Sequence, residues 1–348
     1  MKFKQLGRSG LLVSDLSLGT MIFGEASERG TSAAEAERMI QLYLDAGGNC
    51  LDTADVYAGG RSEEIVGQAI KGKRDQILVA TKVRFASGQG NNDEGLSRHH
   101  ILHAVHASLR RLQTDYIDLY YMHGWDALTP LEESLRTFDD LVTAGKVRYI
   151  GVSNFKAWHV MKALALSESK GWIRFVAGQY QYSLVTRDIE YEFKDLCNSE
   201  GISIMAWGPL GGGFLSGKYQ RNQPPQQAVE GRIATARVEH EEAWQRRSTD
   251  RNWQVVDMVR QIAQEHGATP SQIALAWLRA QPLVSSVILG ARSFSQLEEN
   301  VGAADIELTA EERTRLDRAS ALPDLYPYRL IEQGRRLPNL PGERESGS

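Results

Sequence analysis

A short apolar run ends in the stretch Asn49-Cys50-Leu51-Asp52-Thr53-Ala54-Asp55-Val56-Tyr57, which leads directly into a glycine-rich turn. If Leu51-Asp52-Thr53 is extended, the alternation of side chains sends Asp52 to one face of the strand. Tyr57, five residues later, can then fold back from the loop above that strand. We therefore expect an acid and a phenol to lie together at the end of one strand.

Two later apolar runs also end in a polar side chain. Ala80-Thr81-Lys82 ends the first, and Tyr121-Met122-His123 ends the second. Because side chains alternate along a strand, Lys82 shares a face with Ala80, and His123 shares a face with Tyr121. Asp52, Lys82 and His123 therefore end three consecutive strands, and we expect them to converge with Tyr57 on one pocket.

Apolar strands alternate with amphipathic helices along most of the chain. Strands are predicted over residues 14–20, 50–54, 77–82, 117–123, 149–153, 176–181, 202–207 and 284–290. Helices are predicted over residues 32–48, 62–71, 97–114, 130–144, 156–168, 191–200 and 295–302. Eight alternating units predict an α/β fold whose parallel sheet closes as a (β/α)8 TIM barrel, with a doubly wound open sheet as the alternative. No Gly-x-Gly-x-x-Gly fingerprint opens a unit, which argues against a Rossmann dehydrogenase.

The length of 348 residues suits a single barrel with long loops and extra C-terminal helices. We expect one domain over residues 1–322. Residues 219–251, rich first in Pro and Gln and then in charge, are expected to form a lid, with further helices over 252–266 and 271–280. Thr309 and Glu312 predict a capped helix start. Residues 323–348 form a C-terminal tail, and its polar, glycine-bearing end over residues 342–348 is expected to fray.

The overall composition is that of an ordinary globular protein. Apolar residues make up 42% of the chain and charged residues 24%, and the net charge of −4 gives no reason to expect a nucleic acid or membrane partner. The two cysteines, Cys50 and Cys197, form no disulfide framework. The N-terminus lacks the apolar core of a signal peptide, and no run is long enough to span a bilayer. A cytoplasmic location is expected.

An ordered set of motifs resembles the aldo-keto reductase superfamily. The set is Leu51–Tyr57, Lys82, His123 and Gly151-Val152-Ser153-Asn154, and the similarity runs from about Phe3 to about Ala319. The resemblance is to the longer-loop branch that includes bacterial members and potassium-channel β subunits. It implies an NADP-dependent oxidoreductase that transfers a hydride between the nicotinamide and a carbonyl or alcohol substrate. The alternative within the same fold is a nucleotide-sensing regulatory subunit of the channel-β type.

The resemblance implies a role for each of the four polar strand-end residues. Tyr57 is expected to be the general acid that protonates the carbonyl oxygen. A free phenol titrates near pH ~10, so a cation such as Lys82 is needed to favour its ionised form, and Asp52 would offset the burial of that cation. His123 is expected to orient the substrate and relay protons. A different chemistry would make Lys82 a Schiff-base nucleophile of an aldolase.

The resemblance also implies a cofactor site that runs across the strand ends. Ser153, Asn154 and Gln179 are assigned to the nicotinamide carboxamide, and Trp207 would stack on the ring. Arg292 would bind the 2′-phosphate, which favours NADPH over NADH. The complete set of expected cofactor contacts is Gly19, Thr20, Met21, Asp52, Ser153, Asn154, Gln179, Trp207, Gly208, Pro209, Leu210, Gly212, Lys218, Gly290, Arg292, Gln296, Glu299 and Asn300.

One glycine-rich segment admits a second interpretation. Consecutive glycines after Trp207 would let the backbone approach a pyrophosphate closely. Gly212 to Lys218 also has the spacing of a P-loop, but Tyr219 stands where that motif requires Ser or Thr, which argues against nucleotide triphosphate hydrolysis.

Three further features bear on ligands. His99, His103 and His106 recur along one predicted helix; a metal site is possible there, but a solvated face is favoured and no metal is expected. The acidic run from Glu239 to Glu242 is interpreted as part of a solvated lid. Aromatic side chains on the loops that follow the strands predict an apolar substrate pocket. The substrate candidates among them are Phe23, Phe85 and Trp125, with Met21 and Ile22 beside them.

Overall fold

The structure, a computed structural model, describes residues 1–27, 30–225, 233, 236 and 242–333. Eight parallel strands close into a barrel in the order β10-β3-β4-β5-β6-β7-β8-β9. They are β3 (Leu16–Gly19), β4 (Cys50–Asp52), β5 (Leu78–Val83), β6 (Ile117–Met122), β7 (Val147–Ser153), β8 (Phe175–Gln181), β9 (Ser203–Trp207) and β10 (Val284–Leu289). The predicted barrel is therefore confirmed, and the open sheet is excluded.

Helices surround the barrel, and their predicted ends agree with the structure to within about three residues. They are α1 (Ala33–Asp45), α2 (Arg61–Ala69), α3 (Arg98–Leu112), α4 (Leu131–Thr143), α5 (Ala157–Lys170), α6 (Phe193–Glu200), α7 (Trp244–Arg247), α8 (Asp250–His266), α9 (Pro270–Arg279), α10 (Phe294–Val301), α11 (Ala310–Ala319) and α12 (Tyr328–Gln333). Short 3-10 turns cover Tyr57–Gly60, Arg74–Gln76, Asp188–Tyr191, Gly211–Ser216 and Gly302–Asp305.

Each barrel strand is buried on both faces, as is usual for parallel strands covered by helices. One apolar layer lies between the strands and the helices. A second, smaller cluster fills the barrel itself with side chains that alternate with the first set. Ala80, Tyr121 and Met205 belong to this inner cluster, and the Tyr121 hydroxyl donates to the Met205 sulfur at 3.0 Å. The inner positions at the strand ends are therefore the ones that can carry a site.

An antiparallel hairpin precedes the barrel and was not predicted. It consists of β1 (Phe3–Gln5) and β2 (Leu12–Ser14). Leu6 and Val13 from the hairpin join the inner cluster, and Lys4 Nζ donates to the carbonyl of Val284 at 2.8 Å, where β10 begins. The hairpin thus closes the N-terminal end of the barrel, and the opposite end carries the loops.

The C-terminal part confirms one expectation and adds one helix. Thr309 caps α11, and its side chain and that of Glu312 form the reciprocal bonds of a capping box, as predicted. The tail begins with α12 (Tyr328–Gln333), which was not predicted, and the Tyr328 ring stacks on Tyr191 at 4.8 Å. Residues 334–348 and the central part of the expected lid, residues 226–232, 234–235 and 237–241, lie outside the described residues.

Two expectations from composition can be compared with the fold. Cys50 and Cys197 are both free thiols and both buried, so neither forms a disulfide. Within the part of the chain that the structure describes, no helix is both long and apolar enough to cross a membrane.

Candidate active site

The structure brings the four strand-end residues together at the C-terminal end of the barrel. Asp52 ends β4, Lys82 lies one residue before the end of β5, and His123 directly follows β6. The parallel register pairs Asp52 with Ala80 and Lys82 with Tyr121, so Lys82 lies two residues beyond the partner of Asp52, and His123 lies two residues beyond the partner of Lys82. Tyr57 begins the 3-10 turn after β4, which returns its ring over the barrel mouth. This is the end of a TIM barrel where active sites are found.

Lys82 lies at the centre of the group. Its Nζ donates to Asp52 Oδ1 at 2.6 Å and to the carbonyl of Thr53 at 2.6 Å. The same nitrogen is 4.8 Å from the centre of the Tyr57 ring. The side chains of Lys82 and Asp52 are 0% and 4% exposed, so this ion pair is screened from bulk water. A cation is therefore fixed beside the phenol.

The charge of Lys82 follows from its neighbours. Burial by itself lowers the pKa of the Lys82 ammonium, but the attraction of Asp52 and Tyr57 outweighs burial and the pKa is raised. A Schiff-base lysine needs the opposite shift, because the neutral amine is the nucleophile. The ion pair with Asp52 therefore argues against the aldolase chemistry.

His123 is a neutral imidazole. Burial, followed by the nearby charges of Lys82 and Arg84, lowers the pKa of His123 to about 2. Its ring meets the Tyr57 ring edge-on at 5.8 Å and the Phe85 ring at 4.8 Å. His123 can therefore exchange hydrogen bonds with a ligand at neutral pH, but it carries no proton to give as an imidazolium.

A cavity of about 730 Å³ extends from this group across the strand ends. Tyr57, Asp52 and His123 line one end of it, and Lys82 lies behind them. Every residue expected to contact the cofactor lines this cavity, from Gly19 on β3 to Asn300 on α10. Its elongated lining, contributed by loops after many strands, fits a ligand with two separated ends.

Polar side chains next to the four residues form a connected network. Ser153 Oγ donates to the carbonyl of Gln179 at 2.8 Å. Asn154, with φ of 57°, donates from Nδ2 to the carbonyl of His123 at 2.9 Å. Gln179 Nε2 donates to Asp52 Oδ2 at 2.7 Å, so the second carboxylate oxygen of Asp52 is also held. The amides at the ends of β7 and β8 are thereby tied to the Asp52–Lys82 pair.

Sequence comparison agrees with this geometry. The model of the Aldo/keto reductase family matches residues 15–321. The chain belongs to the aldo/keto reductase family. Nicotinamide-dependent oxidoreduction is the general chemistry of that family.

Similar proteins carry both enzymatic and channel names. A probable voltage-gated potassium channel subunit beta from Oryza sativa subsp. japonica is 38% identical, over 88% of this chain and 92% of the rice protein. The uncharacterized oxidoreductase YrpG of Bacillus subtilis (strain 168) is 35% identical, over 89% of this chain and 93% of the Bacillus protein. Versiconal hemiacetal acetate reductase of Aspergillus parasiticus is 31% identical, over 94% of this chain and 99% of the Aspergillus protein.

The glycine-rich segment of this aldo/keto reductase forms a cradle in the cavity wall. Gly208, Gly212 and Gly213 have φ values of 66°, 71° and 94°, which strain any residue that has a Cβ. Together they let the backbone itself line the cavity after Trp207, which is half-buried there. A P-loop passes from its lysine into a helix, whereas Lys218 leads into a non-helical segment. The cradle thus fits a pyrophosphate without the architecture of a P-loop.

The far end of the cavity is built around the start of α10. Ser293 caps this helix, and the backbone N–H of Arg292 donates to Gln296 Oε1 at 3.0 Å. Thr31 Oγ1 donates to the carbonyl of Arg292 at 3.2 Å. Because a helix N-terminus and a guanidinium both favour anions, this end suits a phosphate group.

Several lining residues were not predicted. Ser271 and Leu275 line the cavity from α9, one turn apart, a spacing that also describes an ordinary core helix. Glu242 is a correction: it was expected in a solvated lid, but it is buried and lines the cavity beside Gly208 and Gly212. Glu239, His240 and Glu241 lie outside the described residues.

The three substrate candidates lie in different places. Phe85 lines the cavity and is 40% exposed. Phe23 is fully buried in the layer between barrel and helices, and its backbone pairs with Thr31 in a short bridge. Trp125 stacks on His159 at 3.8 Å outside the lining residues. Of the three candidates, Phe85 is the one that lines the cavity.

Three of the histidines of α3 lie on its exposed face. His99, His103 and His106 are exposed on the outer face of the helix, as the solvated interpretation predicted. Over the described ranges, which exclude most of residues 226–241, no cluster of His, Cys, Asp and Glu side chains could hold a metal ion.

Proposed function

We propose that this protein is an NADP-dependent aldo/keto reductase that transfers a hydride between the nicotinamide and a carbonyl or alcohol substrate. The observation that carries the proposal is the buried ion pair of Lys82 and Asp52 beside Tyr57. These groups lie at one end of a cavity whose wall contains the cofactor contacts that the sequence predicts. An acid, a cation that strengthens it and an elongated ligand cavity are the parts that this reaction needs.

In the reducing direction, bound NADPH supplies the hydride, and the protein supplies the proton. Tyr57 donates its phenolic proton to the carbonyl oxygen of the substrate as negative charge develops there. Lys82 stabilises the resulting phenolate, because its ammonium is held 4.8 Å from the Tyr57 ring. Asp52 keeps Lys82 charged and in place through the 2.6 Å bond. In the oxidising direction, the Tyr57 phenolate accepts the proton of the alcohol.

His123 orients the substrate in this scheme. Its neutral ring, at the edge of both Tyr57 and Phe85, can hydrogen-bond the carbonyl oxygen that Tyr57 protonates. A neutral imidazole beside the oxygen adds a hydrogen bond without competing with Tyr57 as the acid. Phe85 then provides an apolar wall for the substrate.

The remaining cavity residues fit the parts of NADPH. Ser153, Asn154 and Gln179 lie beside Asp52 and would hold the carboxamide, with Trp207 against the ring. The glycine cradle would face the pyrophosphate. Arg292 would meet the 2′-phosphate, since a guanidinium presents a fork of donors to phosphate oxygens. This arrangement favours NADPH over NADH.

Cofactor titration followed by turnover tests the proposal. We expect NADPH to quench the protein fluorescence and to bind more tightly than NADH, and the NADPH complex to reduce members of a panel of aldehydes and ketones. Equal or absent binding of both dinucleotides would refute the cofactor assignment. Binding of NADPH without turnover of any carbonyl or alcohol would refute the enzymatic assignment.

A second candidate function comes from the relatives named as channel subunits, which are 38% identical to this chain. In that case the bound nucleotide would regulate a membrane partner. Tight NADPH binding, no turnover, and a stoichiometric complex with a potassium channel would favour this function. Turnover in the carbonyl panel with no such complex would favour the reductase.

A further inference from the structure

Asp55 is a buried carboxyl group that the proposed chemistry does not use. It lies between Asp52 and Tyr57 in the chain and is 3% exposed. Its backbone N–H donates to the carbonyl of Lys82 at 3.3 Å, which fixes it beside β5. Neither carboxyl oxygen has a hydrogen-bond partner in the described parts of the chain; the N–H of Val56 attracts them without the geometry of a hydrogen bond.

Four groups face Asp55 from the elements packed against it: Glu63 on α2, Arg111 on α3, Lys82 on β5 and Tyr120 on β6. Each of the two cations is bonded to a carboxylate other than that of Asp55. Arg111 Nε donates to Glu63 Oε2 at 2.6 Å, and Lys82 is bonded to the carboxylate of Asp52.

Neighbouring hydrogen bonds also leave Asp55 without support. Glu63 is fully buried and receives a second bond from Thr81 Oγ1 at 2.6 Å, so its charge is well stabilised. The buried hydroxyl of Tyr120 has no partner among the described residues either. Burial, followed by repulsion from Glu63, raises the pKa of Asp55 to about 7, against the opposing effects of Arg111 and Lys82.

We propose that Asp55 is a positioning residue for this reaction: when its carboxyl group ionises, the added buried negative charge beside β5 acts on Lys82 and makes Tyr57 a weaker acid. The inference rests on the proposed function. Two carboxylates, Asp52 and Asp55, then act on one ammonium, so less of the positive charge of Lys82 is left to stabilise the phenolate.

The consequence is a dependence of the proton step on pH. Below about pH 7 Asp55 is neutral, so Lys82 stabilises the phenolate of Tyr57 more strongly. Tyr57 is then the stronger acid and donates its proton readily. Above that pH Asp55 is ionised and the pKa of the Tyr57 phenol rises. Reduction then slows through neutral pH, and the pH at which Tyr57 loses its proton moves upward.

Replacing Asp55 by Asn tests this with a neutral side chain of the same shape. In the wild-type protein we expect kcat for reduction to fall through an inflection near pH 7. In Asp55→Asn that inflection disappears, and the alkaline limb governed by Tyr57 moves to lower pH by about one unit. NADPH affinity stays unchanged. Asp75→Asn, which removes an exposed carboxyl, keeps the wild-type profile.

A second readout does not depend on turnover. The infrared band of a protonated, buried carboxyl is expected in the wild-type protein below about pH 7, lost above it and absent from Asp55→Asn. If Asn is not tolerated, Asp55→Ser removes the same charge. Wild-type turnover with the same profile in the variant, or the absence of the band, overturns the role of Asp55. A wild-type protein that shows the band but turns over nothing overturns the proposed function instead.

Discussion

Lys82 donates a 2.6 Å hydrogen bond to Asp52, and both side chains are buried. Removing two charges from water is costly, and the cost is offset here by the short contact, the Thr53 carbonyl on Lys82 and the Gln179 amide on Asp52. Such a pair contributes little net stability as a whole but leaves an uncompensated charge when one partner is lost.

Lys82→Met should therefore destabilise the fold strongly. We expect the free energy of unfolding to fall by about 3–5 kcal/mol, since the Asp52 carboxylate would stay buried without its cation. Adding Asp52→Asn to the same chain should recover part of that loss. Urea denaturation of the wild-type protein and these two variants measures this. Breaking the exposed pair of Arg61 and Glu64 serves as the control and should lower the free energy of unfolding by less than about 1 kcal/mol. An equal loss on breaking either pair would contradict the argument.

Tyr57→Phe should remove turnover without changing NADPH affinity or the stability of the fold. The change deletes the phenolic oxygen that donates the proton, and loss of a general acid lowers the rate by about 10²–10⁴-fold. The ring that packs beside His123 remains, so NADPH affinity and stability should stay close to wild type. Steady-state reduction and fluorescence titration test both statements, with the exposed Tyr326→Phe as the control. Turnover above a tenth of wild type would exclude Tyr57 as the acid.

The sequence predicts this site well because strand alternation is a local rule. An inward side chain at the end of a parallel strand must point into the barrel mouth, so Asp52, Lys82 and His123 could be placed together before the fold was known. The expected cofactor contacts come from the resemblance, which covers most of the chain, and the residues named for them line the cavity.

Other features depend on contacts between distant parts of the chain. The β1–β2 hairpin is too short to show a periodic pattern, and it is stabilised by the barrel end that it covers. Phe23 looked like a loop aromatic, but it is buried in the core, and its backbone pairs with Thr31. Glu242 and Asp55 look solvated in sequence because acidic residues usually are, and their burial follows from how the loops pack.

Arg292→Gln should weaken NADPH binding selectively. The guanidinium at the start of α10 would bind the 2′-phosphate that NADH lacks, and a charge-assisted bond of this kind contributes about 1.5–3 kcal/mol. We expect the NADPH dissociation constant to rise at least about tenfold and that of NADH to change little. Fluorescence titration with both cofactors measures the ratio. Arg318→Gln, at an exposed site on α11, should change neither; a parallel loss of both affinities in Arg292→Gln would place the 2′-phosphate elsewhere.

His123→Gln should lower turnover without changing the shape of its pH profile. Burial and the charges of Lys82 and Arg84 hold the pKa of His123 at about 2, so the ring is already neutral throughout the range in which the enzyme can be assayed. Gln keeps a hydrogen-bonding group but not the ring that meets Phe85. We expect a rise in KM and a fall in kcat of about tenfold or more. A limb near pH 6.5 that disappears in the variant would show that His123 titrates in the usual range.

Asp55→Asn should become more stable relative to the wild-type protein as the pH rises. The pKa of Asp55 is about 7 in the folded chain against an ordinary value of 3.8, so the folded state holds this proton more tightly than the unfolded state does. As the pH rises between these two pKa values, the unfolded wild-type chain releases the proton while the folded chain keeps it, so the free energy of unfolding falls. Above about pH 7 the penalty is constant, at up to about 4 kcal/mol.

An Asn side chain cannot ionise, so the variant escapes this penalty. The difference in unfolding free energy between Asp55→Asn and wild type should therefore shift in favour of the variant from about pH 4 to about pH 7 and then level off. Urea denaturation at a series of pH values measures that difference, and Asp75→Asn supplies the baseline for an exposed carboxyl. A difference that stays flat across the series would mean that Asp55 ionises in the fold as easily as in water, and its buried oxygens would then need a hydrated environment.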